Sequence, residues 1–191
     1  MEAVIPIKPQ KINITGEITA RFYDQSGLSR FERAYNALLK RLAGKDRRWL
    51  LRYYILGHLK RVDEKRNVIC NIGLEAVCKR LASIDTYTCN INYCALGTGT
   101  PVTAAVGDTT LDTESYRNAT ASGTASANVA YITAYYTETE CNGTYYEFGN
   151  FIEGTGAADS GQLWSHIAGH TWVKDATTVI VIDCKYTFAS V

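Results

Sequence analysis

The feature that most constrains this chain is a change of texture after Ser83. Before it, apolar residues recur at helical spacing. After it, Thr, Gly, Ala and Tyr dominate, and apolar residues alternate with polar ones. A period of 3.6 suits a helix and a period of 2 suits a strand, so the chain joins a helical part to a β part. The clearest strand spans 177–188. It puts Ile180, Ile182, Cys184, Tyr186 and Phe188 on one face and Asp183, Lys185 and Thr187 on the other. Residues 91–96, 127–137, 144–148 and 163–168 are further candidate strands, and Asn142-Gly143 is a candidate hairpin turn. Several short strands between Gly/Thr-rich turns predict an antiparallel β-sandwich over 88–191.

The upstream part reads differently. Pro6 and Pro9 keep residues 1–15 extended, which predicts an N-terminal arm. Residues 16–24 alternate, with Ile18, Ala20 and Phe22 on one face, and predict a short strand. Ser29 and Glu32 form a capping box ahead of Phe31, Ala34, Tyr35, Leu38, Leu39 and Leu42, and Gly44 stops that helix. Residues 46–62 fit either a helix from Asp46 or a strand around Tyr53. Asp63-Glu64-Lys65-Arg66 reads as a polar turn, and Asn71 as the cap of a helix through Leu74, Val77, Cys78 and Leu81. The expected class is α+β, mainly β: an arm (1–15), a basic strand–helix–helix region packed on the sheet (16–87), and the sandwich.

In 191 residues, 46% are apolar and 20% charged, which excludes wholesale disorder. No run approaches the roughly 18 apolar residues of a membrane span, and residues 1–16 lack the apolar segment of a secretory signal. The net charge of +1 hides a split: residues 1–87 carry +8 and residues 88–191 carry −7. Such a split fits a solvated basic face beside a mildly acidic β domain, or docking of the basic half onto an acidic partner, onto nucleic acid or onto the acidic half of a neighbouring copy. The six cysteines contain no CxxC pair and read as reduced, mostly buried thiols.

Few residues stand in a pattern that carries chemistry. His166 and His170 lie four apart, but in a strand and turn that spacing separates them by about 13 Å. Gly97-Thr98-Gly99-Thr100 lacks the lysine and the helix of a phosphate loop and reads as a tight turn. There is no GxSxG, and the carboxylates Asp112, Glu114, Glu138, Glu140, Glu147 and Glu153 show no pairing pattern. No catalytic residue, metal ligand or cofactor is expected. What remains is contact chemistry. Pro6, Pro9 and Lys11 of the arm, with Arg47, Arg48, Trp49 and Arg52, form a candidate assembly interface. Tyr131, Tyr135 and Tyr145 form a candidate aromatic contact surface.

Several stretches together carry a resemblance: Asn71-Ile72-Gly73-Leu74, Tyr93-Cys94-Ala95-Leu96-Gly97-Thr98-Gly99, Asp108-Thr109-Thr110-Leu111-Asp112-Thr113-Glu114, Tyr146-Glu147-Phe148-Gly149-Asn150 and Gly161-Gln162-Leu163-Trp164. In this order, over roughly residues 16–190, the chain resembles small structural proteins of tailed bacteriophages, of the tail, tail-fibre and minor virion kind. The resemblance implies a non-enzymatic virion building block in tail, neck or fibre. Such a protein is assembled in the host cytoplasm as multiple copies, and its partners are itself and other virion proteins rather than membrane or nucleic acid. The alternatives are a receptor- or glycan-binding module at a tail tip and a capsid decoration protein. The six cysteines and the long basic segment 45–66 depart from the pattern.

Overall fold

The computed structural model describes residues 11–84, 87–100 and 103–190, which excludes Pro6 and Pro9 of the expected arm. The first strand, β1 (Ile12–Asp24), turns Ile18, Ala20 and Phe22 inward as its alternation requires. It takes in residues 12–15, which were expected in the arm. Ile14 stands opposite Phe188 and packs against the main core, so the pairing runs on.

Helix α1 (Arg30–Ala43) starts at the expected capping box. The Ser29 hydroxyl accepts from the Glu32 N–H and the Glu32 carboxylate from the Ser29 N–H. Gly44, with φ of 55°, closes it. The ambiguous segment contains both structures. Helix α2 (Arg47–Tyr53) is capped by Asp46, which accepts from the Trp49 N–H at 2.9 Å, and strand β2 (His58–Ile69) follows. Gly57 separates them with φ of 93°, and a Cβ there would lie 2.2 Å from the Asp24 carbonyl oxygen. Only glycine lets β2 return so close to the end of β1.

Residues 63–66, expected as a turn, lie mid-strand in β2. Their charges are compatible with a strand because residues two apart share a face: Arg61 pairs with Asp63, and the Arg61 guanidinium lies 4.9 Å over the Phe22 ring. Helix α3 (Asn71–Leu81) takes Cys70 rather than Asn71 as its N-cap residue.

The remaining strands are β3 (Ile91–Gly97), β4 (Glu114–Ala119), β5 (Ser122–Ser126), β6 (Val129–Tyr136), β7 (Gly143–Tyr145), β8 (Glu147–Ile152), β9 (Gln162–Ile167), β10 (Trp172–Lys174) and β11 (Thr178–Ser190). Nine of the strands form one large antiparallel sheet in the order β4-β3-β8-β9-β2-β1-β11-β6-β5, and β7 pairs with β10. The N-terminal β1 is therefore central, paired along its length with β11 and on its other side with β2.

The sheet is curled. β2 pairs with β1 up to Asn67 and with β9 through Val68 and Ile69, so it passes from one half to the other. At the far side β4 runs almost directly into β5, and the Thr120 and Ala121 amides bond to Asn92 and Thr133 of the two halves. One interior core collects Ile18, Ala20, Phe22, Ile180 and Ile182 from one half and Leu96, Phe148, Ile152 and Trp164 from the other, with Ala76 of α3 added. At about 1.5–3 kcal/mol per large apolar side chain, this interior dominates stability. Outside, α1 and α2 lay Leu39, Leu50 and Tyr54 on Tyr135, Val179 and Val181. Leu111 covers Phe151 and Leu163 on the opposite half.

Two further expectations are corrected. The strand expected over 144–148 is split: the Tyr146 N–H bonds to the Gly97 carbonyl, β7 turns to β10, and β8 joins β3 and β9. Asn142-Gly143 is no hairpin, because β6 pairs with β5 and β11. The chain turns earlier, where the Glu140 carboxylate accepts from the Thr137 N–H and hydroxyl, while Asn142 accepts from the Lys174 ammonium at 2.8 Å.

The cysteines stand as free thiols: Cys70, Cys94, Cys141 and Cys184 buried, Cys89 half-buried and Cys78 exposed. Burial pushes Cys70, Cys141 and Cys184 up to about 12 and Cys94 well above its usual range. Since the thiolate is the reacting form, iodoacetamide should modify Cys78 in the folded protein and leave those four until denaturant is added. Rapid labelling of the four in the native chain, read by mass spectrometry, would contradict this packing.

Candidate functional site

A polar cluster is built where β9, β8 and the loop over 103–113 meet. His166 on β9 is buried. Its Nδ1 lies 2.7 Å from Asp108 Oδ2 and its Nε2 lies 3.1 Å from Glu147 Oε2. Glu147 is fully buried and also accepts from the Asp112 and Thr113 amides at 2.8 and 3.2 Å, while Asp108 accepts from the Ala105 amide. A Cβ on Gly99 would stand 2.3 Å from Glu147 Oε1, so the glycines expected as a plain turn also make room for this carboxylate. With a carboxylate at each ring nitrogen, both contacts are hydrogen bonds only if the ring donates twice or one carboxyl keeps its proton. Both nitrogens are occupied within the chain, and the effect is to fasten the loop to the sheet.

His170 is separate. It follows Gly169, whose φ is 68°, and lies against Trp172 with ring centroids 4.1 Å apart. Both ring nitrogens are buried, and among the described residues neither has a hydrogen-bond partner. Burial, helped by the charge of Lys65, pushes its pKa down to about 4. The Trp172 indole N–H donates to Asp63 at 3.0 Å. Among the described residues, no group of three or more His, Cys, Asp or Glu is placed to hold a metal ion.

A second cluster fixes α1 and α2 to the sheet. Lys40 pairs with Glu138 at 2.5 Å, and the Tyr54 hydroxyl donates to the same carboxylate. Arg47 pairs with Glu140 and donates to Asn118 at 2.9 Å. Burial alone would raise both carboxylates, but these donors hold them below the usual range. Arg21 pairs likewise with Asp183. Each of these pairs joins a basic residue of the first part to an acid of the second, so the charge split is partly neutralised inside the chain. Glu114 and Arg117, three apart on β4, also pair, at 2.5 Å. Arg117 continues over the Phe151 ring and onto the Ser160 carbonyl.

The candidate interface residues therefore divide. Arg47 is turned inward, which removes it from the expected exposed set. Lys11, Arg48 and Arg52 are exposed, and Trp49 is half-buried, 5.2 Å from the Tyr53 ring. The expected aromatic surface is also corrected. Tyr135 is buried beneath α1 and α2, Tyr145 lies in the interior core, and only Tyr131, 40% accessible, reaches solvent.

Sequence reasoning missed a surface on α1. Phe31, Leu38 and Leu42 are 81%, 52% and 67% exposed, with Tyr35 half-buried between them. At about 100° per residue these three fall within roughly 40° of each other, beside but not on the face that buries Leu39. The signal was present: α1 carries more apolar residues than one buried face can use. By the same spacing Arg30 and Arg41 flank the row along one side of α1, while Lys45, Arg48 and Arg52 are exposed just beyond it and on α2. Among the described residues no carboxylate pairs with any of the five. The nearby acids are engaged, Glu32 in the capping box and Asp46 as the cap of α2.

No protein family, curated protein or solved structure matches the chain. Among the described residues, no helix is long and apolar enough to cross a membrane.

Proposed function

We propose that this chain is a non-enzymatic structural protein of a tailed-bacteriophage virion, assembled as multiple copies in the tail, neck or tail fibre. The observation that carries the assembly reading is the uncovered row Phe31, Leu38 and Leu42 amid unpaired basic residues. Contiguous exposed apolar surface of this kind marks contact with another molecule. The virion reading rests on the sequence resemblance over residues 16–190. The absence of catalysis is supported by His166, Asp108 and Glu147 being engaged with one another and with backbone amides. In this reading the two halves of the curled sheet serve as a sandwich-like scaffold that carries α1 and α2 on one outer face. A glycan-stacking platform loses Tyr135 and Tyr145 to the cores and keeps only Tyr131.

Gradient-purified particles of the phage encoding this chain test the proposal. The chain should co-sediment with them at a fixed stoichiometry above one copy per particle. Its presence in infected-cell lysate but not in the particles would overturn it.

A further inference from the structure

We infer that the exposed face of α1 and α2 binds an acidic amphipathic helix of another polypeptide, and not the same face of a second copy. This rests on the reading of that face as the assembly contact and names its partner. Phe31, Tyr35, Leu38 and Leu42 are spaced by four, three and four residues, the spacing with which one helix seats against another. Leu39 and Asn36 are buried against the chain's own domain, so the free row is a narrow seam. A narrow seam fits one helix, whereas a bilayer surface takes a broad apolar face.

Charge then selects the partner. Arg30 and Arg41 flank the seam on one side, Lys45, Arg48 and Arg52 stand exposed on the adjoining turn and α2, and among the described residues none has a carboxylate partner. Lys40 and Arg47 are already engaged by Glu138 and Glu140. Two such faces brought together would set like charges against each other, which disfavours self-pairing. A helix with Glu or Asp beside its apolar row instead satisfies both features at once. Nucleic acid would answer the charges but leave Phe31, Leu38 and Leu42 in water.

The test uses the full chain and a synthetic helix of about three heptads, with Leu at the seam and Glu at the flanks, followed by fluorescence anisotropy. A Lys-flanked version, phosphatidylserine vesicles and duplex DNA are run beside it. The Glu-flanked helix should bind and the Lys-flanked one should not. Leu38→Asp should weaken binding about tenfold or more without lowering the melting temperature, since Leu38 is already half-exposed. Arg41→Glu with Arg48→Glu should shift preference towards the Lys-flanked helix. The inference is overturned if the Glu-flanked helix fails to bind, if Leu38→Asp leaves binding unchanged, or if vesicles or DNA bind with the same dependence on Leu38. Particle co-sedimentation is read separately, so the chain can be a virion component while this inference fails, and the reverse.

Discussion

Glu147→Ala is expected to destabilise the protein by about 3 kcal/mol, because it removes one fully buried acceptor from three partners at once. The fully buried carboxylate accepts from the amides of Asp112 and Thr113, which lie at the surface end of the loop, and faces the buried His166 Nε2. Removing it leaves those amides without an acceptor and one imidazole nitrogen without a partner. The loss is local before it is global. Hydrogen exchange at the Asp112 and Thr113 amides should accelerate more than at β11, whose pairing with β1 is untouched. Glu147→Gln keeps an acceptor oxygen and should cost less than the alanine. Chemical denaturation gives the stability difference. A loss under about 1 kcal/mol with unchanged exchange at both amides would contradict the role given to this carboxylate.

Acid should weaken the fold through His170. Its pKa is held at about 4 by burial and by the charge of Lys65, with Asp63 opposing and His166 adding to the effect. In the unfolded chain a histidine takes its proton near pH 6.5. The unfolded state therefore binds the extra proton first as pH falls. Stability is full above about pH 6.5 and drains away between there and about pH 4, by up to about 3 kcal/mol. Glu138 and Glu140, held low by Lys40, Tyr54 and Arg47, begin to lose their contribution only as pH falls into the ordinary carboxylate range, and the loss continues below it. The upper part of the window therefore belongs to His170. His170→Phe keeps a ring against Trp172 and cannot charge. Its stability between pH 7 and pH 5 should be flatter than that of the parent. Equal slopes for the two proteins over that interval would contradict the assignment.

Local signals were legible in the sequence and long-range ones were not. Ser29 and Glu32 announced α1 because a capping box is complete within four residues. Residues 180–188 announced β11 because their alternation is a property of one strand. The charges of 63–66 hid β2, since an accessible strand can carry them and no local rule separates it from a turn. Asn142-Gly143 misled because the turn is made upstream by Glu140, a contact that no dipeptide preference encodes. The central place of β1, which brings residues 12–24 beside 178–190, depends on pairing across almost the whole chain. The His166–Glu147 contact likewise depends on β8 and β9 lying side by side. For the assembly face the reverse holds: Phe31, Leu38 and Leu42 were visible as helical periodicity, but only the packing of Leu39 shows which apolar positions are left over.

Assembly through α1 is tested most directly by particle incorporation of a Leu38→Asp, Leu42→Asp double variant in a phage lacking its own copy of the gene. Both side chains are mainly in solvent, so the variant should fold with unchanged thermal stability. The expected result is a folded variant absent from gradient-purified particles, with a matching fall in infectious titre. Incorporation at the parental stoichiometry, with normal titre, would contradict the claim that this face joins the chain to its neighbours.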